Sequence, residues 1–492
     1  MRQIRHARRS AIAGIAALFV APGALAKSEQ GFRLIAEPFA IGSPRFDGPI
    51  AAPVDGLSDP AVGGVDNANP AQPVFSTTIK TQQTPWVRVH FAEYQLGDGG
   101  YLLLTSALDG QTQRLDAASL PVWQNTSAIF NGDEVQIDLY AGPGDAGVYF
   151  TIDHLLVADP EDFAFGFSPE PQPLVETSIC GDFDDRSGSN DPRVGRLFFG
   201  GCTGWLVHNG AALTAGHCGT PDGNIVGVIE FNVPLSSSNG VPFAAAVNDQ
   251  YPVTGVMASE SGGEGADYAV FSVGPNSNTG LFPHRSQGFL HMTSAVPVEG
   301  TTLRVTGYGI DPFPSGTGGA GAPCCDWDDD GTCDFSCNSR NLTQQTDTGS
   351  CDDCLAGTAI EHTVDTMPAN SGSPVIWNSI DVAIAIHAQG GCDTVFSDFD
   401  NAGTWLGYGP LSNTLQNFLP NRVWLDAASP QTVRTGHVLR AFRNIAETAV
   451  SAPSGSTIAI VTGNYPAASG NVATISRPMT LTAHLGTVTL GN

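Results

Sequence analysis

The sequence predicts an all-β protein assembled from several units, and two features carry that prediction. Short runs of alternating apolar and polar residues, such as Trp86-Val87-Arg88-Val89-His90-Phe91, recur between Gly-Asp and Pro-Gly turn signals. Glycine (58) and proline (34) are abundant in the 492 residues, which suits strands joined by turns better than long helices. At about 100–200 residues per domain, the length implies two to four domains. Hydrophobic residues make up 41% of the chain and charged residues 14%, enough for real cores and against wholesale disorder. Lys and Arg number 21 against 48 Asp and Glu, and the resulting net charge of −27 disfavours nucleic acid or an anionic membrane as partner.

The units follow in order. Residues 1–26 read as a secretory signal peptide: Arg2, Arg5, Arg8 and Arg9 are a cationic start, 11–21 an apolar stretch, and Ala24-Leu25-Ala26 a small-x-small cleavage site. No later apolar run reaches a membrane-spanning length, so a secreted, soluble mature chain is expected. Ten cysteines fit an oxidising destination, with disulfides preferred to zinc because no histidine lies within the 324–354 cluster. Residues 27–75, rich in Pro, Gly, Ala and Asp, read as an irregular lead-in. Strand-like runs at 86–91, 101–105, 134–140 and 148–157 predict a jelly-roll-like β-sandwich over 76–160, with a structural or binding role. A linker, 161–189, leads to a second β-rich region, 190–420.

Residues 421–492 combine a helical face (Leu439, Phe442, Ala446, Ala449 within 438–450) with short strands at 457–461, 472–475, 479–482 and 487–490. That pattern reads as the capping helix and first coil of a parallel β-helix, whose apolar face needs a surface to dock on. A small α+β appendage fits the same pattern.

Two motifs carry chemistry. In the first, Gly201-Cys202-Thr203-Gly204-Trp205-Leu206-Val207 and Leu213-Thr214-Ala215-Gly216-His217-Cys218 are strands flanking a turn. A Cys202–Cys218 disulfide would tie them beside His217, a closure worth about 3 kcal/mol on chain-entropy grounds. In the second, Pro368-Ala369-Asn370-Ser371-Gly372-Ser373-Pro374-Val375, flanking Gly and Pro permit a tight turn. Such a turn exposes the Ser371 hydroxyl and aims consecutive N–H groups at one spot. A serine hydroxyl needs an imidazole to take its proton and donors for the oxyanion that forms.

These residues resemble the chymotrypsin (trypsin-like) serine endopeptidase superfamily, in the bacterial branch that includes the glutamyl endopeptidases. The family's T-A-G-H-C block is matched in full at 214–218. Its G-[DN]-S-G-[GS]-P block is matched with Ala369 in place of the first glycine, and Asp267-Tyr268-Ala269-Val270-Phe271 fits the strand that opens on the family's acid. The order His, Asp, Ser is also that of the superfamily. The resemblance implies a chymotrypsin-like double β-barrel over 190–420, with His217, Asp267 and Ser371 catalytic. It implies an oxyanion hole from the N–H groups of Ala369 and Ser371, protein or peptide substrates, and no required cofactor. It also implies a conformational cost at Ala369, where the family keeps glycine. Asn370 replaces the aspartate that pairs with a freed N-terminus in trypsin, so activation through that ion pair is not expected. Ala388 replaces a serine that supports the catalytic aspartate in many relatives, which leaves Asp267 one partner fewer.

Two specificities stay open. His387, within Ile386-His387-Ala388-Gln389-Gly390-Gly391, and Thr366 resemble the carboxylate-binding residues of glutamyl endopeptidases, with Gly390 on the same strand. Asp365 stands where trypsin keeps the acid that binds Arg or Lys. Acidic P1 residues are preferred; if Asp365 and His387 both pointed inward they would pair. Cys392 lacks its usual partner, since position 367 is Met, which leaves Cys180 or a cysteine of the 324–354 cluster. The Cys-rich insertion, 310–356, contains Asp326, Asp328, Asp330 and Asp334 around Gly331 in a calcium-loop pattern, with Cys337 where the last acid is expected. A Ca²⁺ site and a metal-free acidic loop both fit. The rival functions are a catalytically inactive protease-like binding or adhesion protein and an esterase using the same triad.

Overall fold

The computed structural model describes residues 34–42, 73–81, 84–158, 178–181, 184–198, 201–219, 227–237, 241–311, 339–355, 357–392 and 400–491. The signal-peptide reading and the Asp326–Asp334 acids lie outside them. The fold is all-β, as the turn-rich composition predicts.

The N-terminal unit stacks two antiparallel four-stranded sheets. One runs Leu34–Gly42, Tyr149–Ala158, Trp86–Gln95, Phe130–Asn131; the other Phe75–Lys80, Glu134–Tyr140, Tyr101–Ser106, Thr112–Asp116. Alternation decides what is buried: Val89 and Phe91 from one sheet meet Leu102, Leu104, Val135 and Ile137 from the other. The lead-in expected to be irregular therefore supplies a strand, Leu34–Gly42, paired with Tyr149–Ala158. Pro38 is tolerated there because the strand is an edge and its register shifts between Pro38 and Ile41.

Next comes a closed six-stranded barrel in the order Val194–Leu197, Cys202–Leu206, Ala212–Thr214, Asp267–Val273, Gln250–Ser261, Val228–Glu230. A second, eight-stranded sheet runs Ala359–His362, Asn401–Trp405, Val382–Gln389, Pro374–Trp377, Thr302–Gly307, Gln345–Ser350, Ser187–Gly188, with His291–Met292 pairing to Val382–Gln389 off this path. The strands Gln345–Ser350 and Ala359–His362 meet at the bridge between Cys351 and His362, where Thr363 N–H donates to Ser350 O (3.0 Å) and Asp352 N–H to Glu361 O (3.1 Å). That closes a second barrel around Leu303, Val305, Ile360, Val375 and Ile384.

Both flanking units are fused to the first barrel. Phe198, Val228, Ala244 and Val247 belong to the sandwich's core, and Gln250 exchanges two hydrogen bonds with the Ile129 backbone. At the other end Trp424, Val438, Leu439 and Val461 share a core with Trp205, Val207 and Leu213. Three parallel strands, Arg422–Leu425, Thr457–Tyr465 and Thr480–Leu490, stack in the manner of β-helix coils. Two details differ from expectation. The helix covers only Ile445–Ser451, because the Asn444 side chain accepts from Glu447 N–H (2.8 Å) and starts it there. Residues 472–475 form no strand: Val472 and Ile475 are exposed.

Candidate active site

His217 sits in the single 3₁₀ turn Gly216–Cys218 that follows the strand Ala212–Thr214, and Asp267 opens the strand Asp267–Val273. These strands pair, Thr214 opposite Ala269, so barrel register alone brings the two residues together. Only glycine fits before the histidine: a Cβ on Gly216 would lie 1.9 Å from Glu260 O. His217 Nδ1 meets Asp267 Oδ2 at 2.7 Å, while Asp267 Oδ1 accepts from Gly216 N–H (2.6 Å) and His217 N–H (3.0 Å). Asp267 is buried, and its backbone is clamped from the second barrel: Thr404 Oγ1 accepts from Asp267 N–H and donates to Asp267 O. A carboxylate so placed fixes the Nδ1–H tautomer and leaves Nε2 as the acceptor.

The serine turn is gripped by the strand Cys202–Leu206. Thr203 N–H donates to Ser371 O (2.9 Å) and its hydroxyl to Ala369 O (3.2 Å), while the Cys202–Cys218 disulfide ties the same strand to the histidine turn. Cys218 Sγ lies 3.8 Å from Ser371 O, so the backbones of the two blocks are adjacent. Gly372 has φ +88°, and a Cβ there would meet Thr203 O at 2.1 Å. Within the turn, the N–H groups of Asn370, Gly372 and Ser373 donate to Met367 O, His387 O and Asn370 O. Among the described residues, those of Ala369 and Ser371 have no acceptor. Ala369 takes φ +75°, a left-handed conformation that favours glycine. The Ser371 hydroxyl makes no hydrogen bond to His217, the loose geometry common in an unliganded site.

Among the described residues, His387 Nδ1, Thr366 Oγ1 and His362 Nε2 are buried polar atoms without a hydrogen-bond partner. The two imidazole rings are 5.4 Å apart. Burial, then the neighbouring His362 and His217, push His387 well below the ordinary histidine range, and burial takes His362 down to about 3. Unsatisfied buried groups cost about 1–3 kcal/mol each. His362 escaped sequence reasoning: it matches no motif, and only the pairing of Ala359–His362 and Val382–Gln389 with the shared strand Asn401–Trp405 brings it to His387. Gly390 packs on Ser178, where a Cβ would meet Ser178 Oγ at 1.9 Å.

Asp365 faces elsewhere. Its carboxylate accepts from Cys180 N–H (2.7 Å) and Asp185 N–H (3.3 Å), and no pairing with His387 forms. Burial, with Asp347 and Asp185 adding to it, pushes Asp365 up to about 7. Asp185, Asp347 and Asp365 bring one carboxylate oxygen each within 4.8 Å of one another. The open pairing of Cys392 resolves to Cys180, and with Cys351–Cys354 three disulfides fit an oxidising compartment. Among the described residues no helix is long and apolar enough to cross a membrane.

No protein-family model matches this chain, and no curated protein matches its sequence. Among solved structures it is similar to a Glu endopeptidase in complex with MPD, with 19% identity and TM-score 0.34 over 49% of this chain and 98% of that one. It is also similar to neuropsin, a serine protease expressed in the limbic system of mouse brain, with 14% identity and TM-score 0.31 over 46% and 96%. At these values the likeness is partial, and the site has to be judged on its own geometry.

Proposed function

We propose that this chain is an exported serine endopeptidase. Ser371 Oγ attacks the scissile carbonyl while His217 Nε2 takes its proton, and Asp267 stabilises the imidazolium that results. The N–H groups of Ala369 and Ser371 hold the oxyanion, and His217 returns the proton to the leaving amine. Water then hydrolyses the acyl-enzyme by the same steps, with no cofactor. The observation that carries this reading is the His217–Asp267 hydrogen bond beside a serine turn whose two oxyanion donors are unclaimed. A non-catalytic adhesion protein has no physical need of that combination.

The substrate we infer carries an acidic P1 residue. His387, Thr366 and His362 offer unpartnered polar atoms, whereas Asp365, the alternative anchor for Arg or Lys, already accepts two backbone N–H groups. The test is a fluorophosphonate probe followed by a peptide library. Labelling of the wild-type chain, lost in Ser371→Ala and His217→Ala, with cleavage after Glu or Asp is expected. An unlabelled, folded wild-type chain would overturn the protease reading; cleavage after Arg or Lys would overturn only the specificity; ester cleavage without peptide cleavage would favour an esterase.

A further inference from the structure

The sandwich holds a cluster that the proposed protease chemistry does not use. His90 lies on the strand Trp86–Gln95 and His154 directly opposite it on Tyr149–Ala158. Both Nδ1 atoms converge on one oxygen of Asp153: His90 Nδ1 is 2.6 Å and His154 Nδ1 3.0 Å from Asp153 Oδ1. The rings stack with centroids 4.3 Å apart at 20°.

Neighbouring residues of a regular strand face opposite sides, so Asp153 and His154 should not share a face. A β-bulge makes them do so. Register runs from His90↔His154 to Phe91↔Ile152, which leaves Asp153 as the extra residue. The burial agrees, since Ile152 and Leu155 are buried while Asp153 and His154 both turn outward. The backbone irregularity thus serves to bring two imidazoles and a carboxylate to one point.

We propose that His90, Asp153 and His154 form a binding site for a borderline divalent metal ion of the Zn²⁺ class on the outer face of the sandwich. One ligand atom from each residue lies within 4.8 Å of the others, as three donors around one ion require. Two nitrogens and one carboxylate oxygen suit zinc and its neighbours, and not Ca²⁺, which takes six to eight oxygens. In the metal-free state Nδ1 protons occupy the space between the ligands, and the ion displaces them. Side-chain exposures of 26%, 28% and 48% leave the remaining coordination positions open to water or to a donor from outside. The nearest cation along the strand, Arg88, is turned away to Ser127 O (2.7 Å) and Thr126 Oγ1.

The test uses the full-length chain. Zn²⁺ titration followed by calorimetry should give a site weakened at least about 10–100-fold in His90→Ala and in His154→Ala, since even outer-shell changes cost that much. Asp153→Asn, which keeps the volume, should weaken it too. Independently of any variant, the Cu²⁺-loaded wild-type chain should show EPR hyperfine coupling to two imidazole nitrogens, falling to one in His154→Ala. No Zn²⁺ binding by the wild-type chain, or unchanged affinity in folded His90→Ala and His154→Ala, would overturn the proposal. Neither outcome bears on fluorophosphonate labelling at Ser371.

Discussion

Among the described residues, two His–Asp pairs with a buried aspartate share almost the same geometry in two different settings. His217 Nδ1 and Asp267 Oδ2 are 2.7 Å apart in the cleft, and His291 Nδ1 and Asp426 Oδ2 are 2.8 Å apart where the C-terminal coil docks on the first barrel. The aspartate side chains are 5% and 3% exposed and the imidazoles 37% and 27%, so burial does not tell the pairs apart. Their neighbours do. Beside His217 stand a serine turn and two unclaimed N–H groups; His291 is packed between Phe289 and His208, with ring centroids 5.5 and 5.8 Å away. An Asp–His pair is thus ordinary structural cement until a nucleophile and oxyanion donors are brought to its free nitrogen.

Variants break this comparison most strongly at the cleft. Ser371→Ala should lower kcat by a factor on the order of 10⁶ with the melt unchanged. His291→Ala should leave kcat and KM for short peptides unaltered. If His291→Ala abolished turnover with the fold intact, the division between catalytic and structural pairs would fail.

The junction should answer in stability. Asp426→Ala removes the charge opposite His291 and the acceptor of Ala428 N–H (2.9 Å). Removing one member of a buried pair costs about 3–5 kcal/mol, and the partial exposure of His291 places this case at the lower end. Denaturant unfolding of the variant measures it. The pH dependence follows from both partners. Although burial alone would lower it, Asp426 holds the His291 pKa above its ordinary value. That contribution is full below about 6.5 and is lost as pH rises through the raised value. Asp426, whose burial would raise it, is instead held down by His291. Its contribution is present above about 3.9 and is lost as pH falls through the lowered value. The junction is therefore strongest between the lowered Asp426 value and the raised His291 value, and its loss as pH rises through the latter should vanish in Asp426→Ala.

A smaller effect separates the substrates. His387 is neutral when the subsite is empty, so an acidic P1 side chain must bring a proton with it. Between the free and bound values of His387, the affinity for a Glu substrate should fall by up to about tenfold per pH unit, while a Gln substrate shows no such slope. Equal slopes would separate His387 from P1 recognition.

The two pairs also mark what a sequence can disclose. His217 and Ser371 are legible because each sits in a contiguous motif whose flanking glycines and cysteine are needed locally, as Gly216 and Gly372 demonstrate. The strands of the sandwich are legible wherever alternation is regular. His291–Asp426 is not, since the partners are 135 residues apart and no local pattern marks either. Cys180–Cys392, separated by 212 residues, was legible only as one of two alternatives, and His362 was not legible because the shared strand Asn401–Trp405 is what brings it to His387. Leu34–Gly42 was hidden by Pro38, which reads as a breaker until the strand is known to be an edge. The cluster at His90 was hidden because a bulge inverts the alternation that period-two reasoning relies on.

The smallest expected effect is at Ala369, which stands where the protease motif that the sequence resembles keeps glycine and whose N–H we propose as an oxyanion donor. Its φ of +75° places a Cβ in the left-handed region, which costs an ordinary residue about 1–2 kcal/mol. Ala369→Gly removes that strain but returns about 0.5–1 kcal/mol of backbone entropy to the unfolded chain. Ala369 is also fully buried, so its methyl contributes some packing that the variant loses. These terms nearly cancel, and the variant should gain no more than about 1 kcal/mol, with kcat/KM unchanged because the N–H keeps its direction. A fall in kcat/KM without loss of stability would mean that the alanine holds the oxyanion donor in place, which would make the left-handed turn part of the catalytic design.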